Sequence, residues 1–344
     1  MKKQTLVIKL GSALLSKQDG STNSSVIRKI ADEIASVSSS YRIILVSSGA
    51  VSSGKQFLKQ YKGTLTERKA AAAIGNPILI ELYRKQFARH GITVAQALCE
   101  RHHFSNRNLF VQLKNTFEAF WKNGVLPIVN ENDLISNNEL KFSDNDELAT
   151  LLAIGFNAQK MILCTSSNGL LNKEGKIVSV VPSINTEIYS YVTKEKSSVG
   201  LGGMLSKITF TRLATSLGIE VYMSGLIGGS PIQKTLKGLQ GTCFKAHRST
   251  LKDRQKWLLS GSVTVGQIHV DEGAEKALTA RKSLLTVGIK RTEGTFNSGE
   301  VVQLTNTVNM IIGVAKTRMS SKEIHALRSS KNQMAAHAND IVLF

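Results

Sequence analysis

The sequence predicts an α/β protein, with a large sandwich around a mostly parallel sheet and a small, mostly β module behind it. Three observations carry this. Apolar strand-like runs alternate with amphipathic helical segments over the first 220 or so residues, the pattern of repeated βαβ units. The last eighty residues switch to short β segments between glycine turns. A cluster of acids and amides, Asp144, Asn145, Asp146 and Glu147, sits at the front edge of a predicted helix. A second cluster, Asn130 to Asp133, directly follows a strand-like run.

The totals bound the reading. A chain of 344 residues with 42% hydrophobic content has room for two domains with sizeable cores. No apolar run approaches the roughly 18 residues that would span a bilayer. Met1-Lys-Lys-Gln leads straight into a strand, so a cytoplasmic protein with no membrane segment and no secretion signal is expected. Cys99, Cys164 and Cys243 are far apart among apolar neighbours and have neither disulfide nor metal-ligand spacing. The formal charge of +19 is compatible with nucleic acid, an anionic surface or anionic small molecules. Residues 262–344 hold ten Lys and Arg against seven Asp and Glu and account for only +3 of it. The excess lies in the larger domain and in the basic junction after Lys245, which suits an anionic substrate at least as well as RNA.

In chain order, Gln4–Leu10 reads as a buried strand ending at Gly11. Lys9 inside it is either a snorkelling edge residue or a cation delivered to the mouth of a parallel sheet. Asn23–Val37 is helical, with Val26, Ile30, Ile34 and Val37 on one face, and Tyr41–Val46 is the next strand. The turn after it follows the first seven positions of a P-loop from Gly49 to Lys55. Gln56 then stands where the magnesium-binding hydroxyl belongs, so this is read as a decoy. Thr66–His90 is a long helical pattern in which Pro77 predicts a kink or a break. Ile92–Ala97 and Val125–Val129 are strands around a helix at Leu109–Lys122.

In Leu140–Thr150, Ser143 or Asp144 can cap a helix whose buried face is Leu148, Leu151, Leu152 and Ile154, and acids suit its positive end. Capping explains one or two of these acids. It does not explain two acidic-amide clusters facing a short excursion, which look like a polar pocket at a strand end. Lys160–Cys164 is a further strand. Ser197–Lys207 then places three glycines and a lysine at the start of a helix, which can cradle phosphate. Ile219–Met223 and Gly241–Phe244 complete the large domain. In the tail, Val263–Val270, Ser283–Lys290, Glu300–Thr305 and Met310–Ala315 are β segments, with helices at Asp271–Ala280 and Lys322–Leu327.

Taken together, Val7-Ile-Lys9-Leu-Gly11-Ser, Val46-Ser-Ser48-Gly-Ala50, Val129-Asn-Glu-Asn-Asp133, Asp144-Asn-Asp146 and Gly202-Gly-Met-Leu-Ser-Lys207 resemble the motif set of the glutamate 5-kinase group of the amino acid kinase family. Ile268-His-Val-Asp-Glu-Gly-Ala274, Gly288-Ile-Lys290 and Phe296–Val301 resemble the PUA domain fused to many bacterial members. The resemblance implies an amino acid kinase-like three-layer sandwich at 1–250, a basic linker at 251–261 and a PUA domain at 262–344. It implies transfer of the ATP γ-phosphate, with Mg2+, to the side-chain carboxylate of L-glutamate, the first step of proline biosynthesis. Proline is implied as a feedback inhibitor, and a homo-oligomer, dimer or tetramer, is expected.

Carried over by position, Lys9, Lys207 and Asp144 are the implied catalytic residues. Ser48, Asp133, Asn145 and Asp146 are implied at the glutamate. Lys9, Thr165, Ser166 and the run Leu201, Gly202, Gly203, Met204, Leu205, Ser206 and Lys207 are implied at ATP. Two positions depart from the family pattern: Ser166 stands where an aspartate is usual, and Leu201 where a threonine is usual. The alternative from another class is an RNA-binding protein with the PUA domain as its working part. The mild charge of that domain and its lack of a dense basic-aromatic face count against this as the main role.

Overall fold

The computed structural model describes residues 3–17, 21–105, 107–134, 144–192, 203–247, 264–327 and 333–343. The expected linker 251–261 lies outside them. The chain divides into two compact units, Met1–Glu100 with Val111–Ser249, and Arg101–Phe110 with Thr250–Phe344. The ten residues from Arg101, expected in the large domain, group with the C-terminal unit.

The first unit is built on an eight-stranded sheet. Its strands are β1 (Gln4–Leu10), β2 (Tyr41–Ser47), β3 (Thr93–Cys99), β4 (Val125–Glu131), β5 (Lys160–Cys164), β6 (Val180–Val181), β7 (Glu220–Ser224) and β8 (Thr242–Phe244). Their order is β3-β4-β2-β1-β5-β7-β8-β6, and every pairing is parallel except β7 with β8. The helices up to Leu236 are α1 (Ser12–Leu15), α2 (Ser24–Val37), α3 (Ala50–Gly54), α4 (Leu65–Ala88), α5 (His102–Ser105), α6 (Arg107–Lys122), α7 (Asn145–Gly155), α8 (Thr186–Val192), α9 (Met204–Ser216) and α10 (Pro231–Leu236), of which α5 and the first turn of α6 group with the second unit. The expected strands are all present, with ends shifted by one or two residues.

Strand β1 is the central element because its two faces are buried differently. Leu6, Ile8 and Leu10 join Ile27, Ile30 and Ile34 of α2 and Tyr83 and Phe87 of α4 in one core cluster. Side chains alternate along a strand, so Val7 and Lys9 face the other layer, where α7 lies against β1. Helix α7 is buried almost throughout, from Asp146 to Ile154. Connections lead from β1 to β2 on one side and from β4 across to β5 on the other. The C-terminal end of β1 is therefore a topological switch point, where open α/β sheets bind ligands.

Helix α4 runs from Leu65 to Ala88 without the break expected at Pro77. Pro77 removes one backbone hydrogen bond. The burial of Ala71, Ala72, Gly75, Leu79, Tyr83 and Phe87 along the helix outweighs that loss. A capping box starts it: the Thr64 hydroxyl accepts from the Glu67 amide and the Glu67 carboxylate accepts from the Thr64 amide.

The P-loop decoy also has a structural meaning. Gly49 has φ +107° and turns the chain into the five-residue helix α3. Gly54 and Gly75 let α3 and α4 touch through their backbones. A Cβ on Gly54 would collide with the Ala71 carbonyl, and one on Gly75 with the Ala50 carbonyl.

The second unit holds a five-stranded sheet of β9 (Thr264–Val270), β11 (Ile289–Glu293), β12 (Val301–Thr305), β13 (Ile311–Lys316) and β15 (Ile341–Leu343), in the order β11-β9-β12-β13-β15. A two-stranded pair, β10 (Leu284–Leu285) with β14 (Met334–Ala336), and helices α11 (Glu272–Thr279) and α12 (Ser321–Leu327) complete it. Its own core includes Ile268, Val270, Phe296, Val302, Leu304 and Ile324. The β segment expected at Ser283–Lys290 is split by a single 3-10 turn at Thr286–Gly288, where Gly288 passes close over Ala274.

The glycine contact yields a stability prediction. Gly75→Ala lowers the unfolding free energy by about 1–3 kcal/mol, the usual cost of forcing an extra carbon into a packed contact. Gly229→Ala, with open space around it, stays within about 0.5 kcal/mol of wild type. Denaturant midpoints at constant slope measure both, and equal effects would remove the packing explanation.

Candidate active site

Three charges meet at the end of β1. The Lys9 ammonium lies 2.5 Å from Asp146 Oδ1 and the Lys207 ammonium 2.9 Å from Asp146 Oδ2. The Asp146 side chain is 0% exposed, that of Lys9 6% and that of Lys207 14%. These residues come from β1, α7 and α9, and only the fold brings them together. Burial pushes the Asp146 carboxyl up, but the two ammonium groups outweigh this and hold it below the usual carboxylate range. The cluster keeps one positive charge in excess. Helix α9 starts beside it at Gly203 with no side-chain cap, so its first-turn amides and positive end add to the attraction for an anion.

Asp144 holds α7 in place for this. Its Oδ1 accepts from the Asp146 and Glu147 amides at 2.9 and 3.1 Å, as an N-cap should, and its Oδ2 accepts from the Ser206 hydroxyl at 2.6 Å. One carboxylate therefore ties the start of α7 to the first turn of α9, and so sets the spacing of Asp146 and Lys207.

Next to the charges lies an amide cluster. Asn145 Nδ2 donates to Ser48 Oγ and to Asn130 Oδ1, both at 3.0 Å. Asn130 Oδ1 also accepts from the Glu131 amide at 2.9 Å, and Asn130 Nδ2 donates to Asn76 Oδ1 at 3.2 Å. The loop after β2 is fixed from behind by the hydrogen bond between Ser47 and the buried Tyr83 hydroxyl, 2.8 Å. Ser48 is held by its amide, which donates to the Leu10 carbonyl.

The structure thus unites Lys9, Ser48, Asp144, Asn145, Asp146, Ser206 and Lys207 in one network. Asp146, expected at the glutamate, has both its oxygens on the two lysines. Asp133 lies half-buried in the turn just beyond β4. Thr165, at the end of β5, gives its hydroxyl to the Ser167 carbonyl, and Ser166 is exposed beside it. Gly203, Met204 and Leu205 open α9, whereas Leu201 and Gly202 lie outside the described residues. Sequence reasoning placed Asn130 in the right cluster without assigning it, and it missed Asn76 altogether. The dipeptide Asn76-Pro77 in mid-helix is the available signal, a polar side chain beside a residue that sequence alone reads as a helix breaker.

Asp146 makes the site pH-sensitive. A carboxyl held below its unfolded value contributes stability that is fully present above about pH 4 and is lost as pH falls through the folded value. Asp146→Asn leaves two buried ammonium groups without their counter-charge and costs about 3–5 kcal/mol at neutral pH. The stabilities of wild type and variant should converge below pH 4. Parallel stability curves down to pH 2 would contradict the assigned ion pairing.

Residues 4–223 match the amino acid kinase family and residues 266–336 the PUA domain. A glutamate 5-kinase of Aquifex aeolicus is 36% identical over 331 residues, covering 95% of this chain and 92% of that one. One of Kosmotoga olearia is 35% identical over 323 residues, covering 92% and 89%. One of Haemophilus influenzae is 32% identical over 348 residues, covering 96% and 93%. With these relatives along nearly its whole length, the chain belongs to the amino acid kinase family and carries a PUA domain behind its kinase domain.

Proposed function

We propose that the protein transfers the γ-phosphate of ATP to the side-chain carboxylate of L-glutamate, giving glutamyl 5-phosphate for proline biosynthesis. The observation that carries the reading is the meeting of Lys9 and Lys207 on Asp146, beside an amide pocket, in a chain whose relatives are glutamate 5-kinases along nearly their full length. The acceptor carboxylate, with a pKa near 4.3, is ionised at neutral pH and needs no general base. The remaining demand is to align two anions and to neutralise charge on the transferring phosphoryl group.

Lys9 and Lys207 are assigned to that neutralisation, and the amides opening α9 to the phosphates. Ser48, Asn145 and Asp133 are assigned to glutamate, with Thr165, Ser166 and the run from Leu201 to Lys207 on the nucleotide side. Asp144 organises the site through its cap and Ser206, and Asp146 sets the positions of the lysines. Mg2+ fits here as an ion carried by the triphosphate. Asp146 is taken up by the lysines and Asp144 by amides and a hydroxyl, and phosphate oxygens with waters are a usual set of ligands for this ion. Mg2+ supplies further charge neutralisation at the phosphates. Proline as feedback inhibitor, a homodimer or homotetramer and a cytoplasmic location belong to the same reading. Among the described residues no helix is long and apolar enough to cross a membrane.

Purified protein should release ADP with glutamate and Mg-ATP, and hydroxylamine should trap the product as a hydroxamate. Turnover of UMP, aspartate or N-acetylglutamate in place of glutamate rejects the substrate. Lys207→Ala should lower kcat by at least about 100-fold, the scale for losing one electrostatic stabiliser, and leave glutamate binding within a few-fold. An equal loss in kcat and in glutamate affinity would refute this assignment of Lys207.

A further inference from the structure

The amide chain beside the ion cluster has a fixed polarity. The Glu131 backbone N–H can only donate, so the atom of Asn130 that it meets at 2.9 Å must be the carbonyl oxygen. Turned over, Asn130 would set its own NH2 against that N–H and against the Asn145 side chain. Asn130 Nδ2 is thereby directed at Asn76, and Asn76 must offer its oxygen, 3.2 Å away. At the other end Asn145 meets an acceptor, Asn130 Oδ1, and a hydroxyl, Ser48 Oγ, so it turns its Nδ2 toward both. Asn145 Oδ1 is left buried without a hydrogen-bond partner among the described residues. An orphaned buried acceptor costs about 1–3 kcal/mol, and such an atom accepts a donor and repels a carboxylate.

We infer that Asn76 is a positioning residue: by accepting from Asn130 Nδ2 it holds, together with the Glu131 N–H, the Asn130 amide in the orientation that leaves Asn145 Oδ1 to receive the α-ammonium group of the amino acid substrate. This rests on the proposed function. Zwitterionic glutamate carries two carboxylates and a single donor group, its ammonium, so that group alone matches an acceptor-only position. Asp146 is a poorer partner for it, because both its oxygens already face lysines. Asn76 reaches the chain from the middle of α4, one residue before Pro77 and one after Gly75, where the helix is pressed against α3. Three adjacent residues thus combine close packing, a missing amide and a side chain aimed at the strand ends.

The test compares L-glutamate with glutarate, which keeps both carboxylates and lacks the ammonium. The full-length enzyme is assayed with each as substrate, and with glutarate as competitive inhibitor where its turnover is too slow. Asn76→Leu keeps the size and removes the acceptor. It should raise the KM for glutamate at least tenfold, with kcat within threefold, the KM for ATP unchanged and the glutarate constants unchanged. Asn76→Asp retains an acceptor for Asn130 Nδ2 and should return the KM for glutamate to within threefold of wild type. Equal losses for glutamate and glutarate in Asn76→Leu, or a parallel rise in the KM for ATP, would show a general structural role and overturn the inference. A wild-type enzyme that phosphorylates neither compound fails differently: it rejects glutamate as substrate, and the ammonium assignment falls with it.

Discussion

A buried carboxylate shared by two lysines governs this structure. Asp146 pairs through its two oxygens with ammonium groups from different layers of the fold, and it is shielded from water. Isolated, either lysine would be costly to hold at a strand end, since burying an unpaired charge costs several kcal/mol. Two ammonium groups against one carboxylate leave one positive charge over, so the arrangement stores attraction for an anion. Placing that surplus at the C-terminal end of β1 sets it where connections diverge to either side of the sheet and leave an open mouth.

The remaining polar residues keep that geometry from drifting. Asp144 bonds two amides of α7 and the hydroxyl of Ser206, so the helix bearing Asp146 and the helix bearing Lys207 share one anchor. On the other flank, amides from α4, β4 and α7 and the hydroxyl of Ser48 form a chain whose donors and acceptors are mutually consistent. Phosphoryl transfer to a carboxylate asks little covalent chemistry of a protein. It asks that two negative reactants be held close despite their repulsion. A cationic cluster on one side and a chain of amides on the other suit that requirement by division of labour.

Much of this was legible in the sequence, for identifiable reasons. Parallel strands buried on both faces are continuous apolar runs, so β1, β2, β4 and β5 stood out, and a lysine within such a run was conspicuous. The acidic-amide clusters read as a pocket because capping accounts for only part of them, and Asp144 indeed caps α7. Other features depend on contacts between residues far apart in the chain. That Asp146 bridges two lysines needs the pairing of α7 with β1 and α9. That α4 survives Pro77 needs the packing of Tyr83 and Phe87, since local propensity alone predicts a break. Asn76 lay hidden for the same reason, because its partner is a strand end 54 residues away.

Of the two departures from the family pattern, Ser166 changes the charge at a position that the proposed function assigns to the nucleotide side. Ser166 sits exposed at the end of β5, next to a Thr165 whose hydroxyl is turned onto the Ser167 carbonyl. An aspartate at that position would add a negative charge to the end of β5, and serine removes it while keeping a donor and an acceptor. The loss of one acid raises the local positive potential, which suits a polyanion, and gives up a strong hydrogen-bond acceptor. On the side proposed for glutamate, the hydrogen-bonded chain beside the ion cluster is made of neutral groups, the amides of Asn76, Asn130 and Asn145 and the hydroxyl of Ser48. Selection of a small zwitterion then rests on where donors and acceptors point, a property that bulk charge cannot supply and that side-chain packing around Asn130 and Asn145 can.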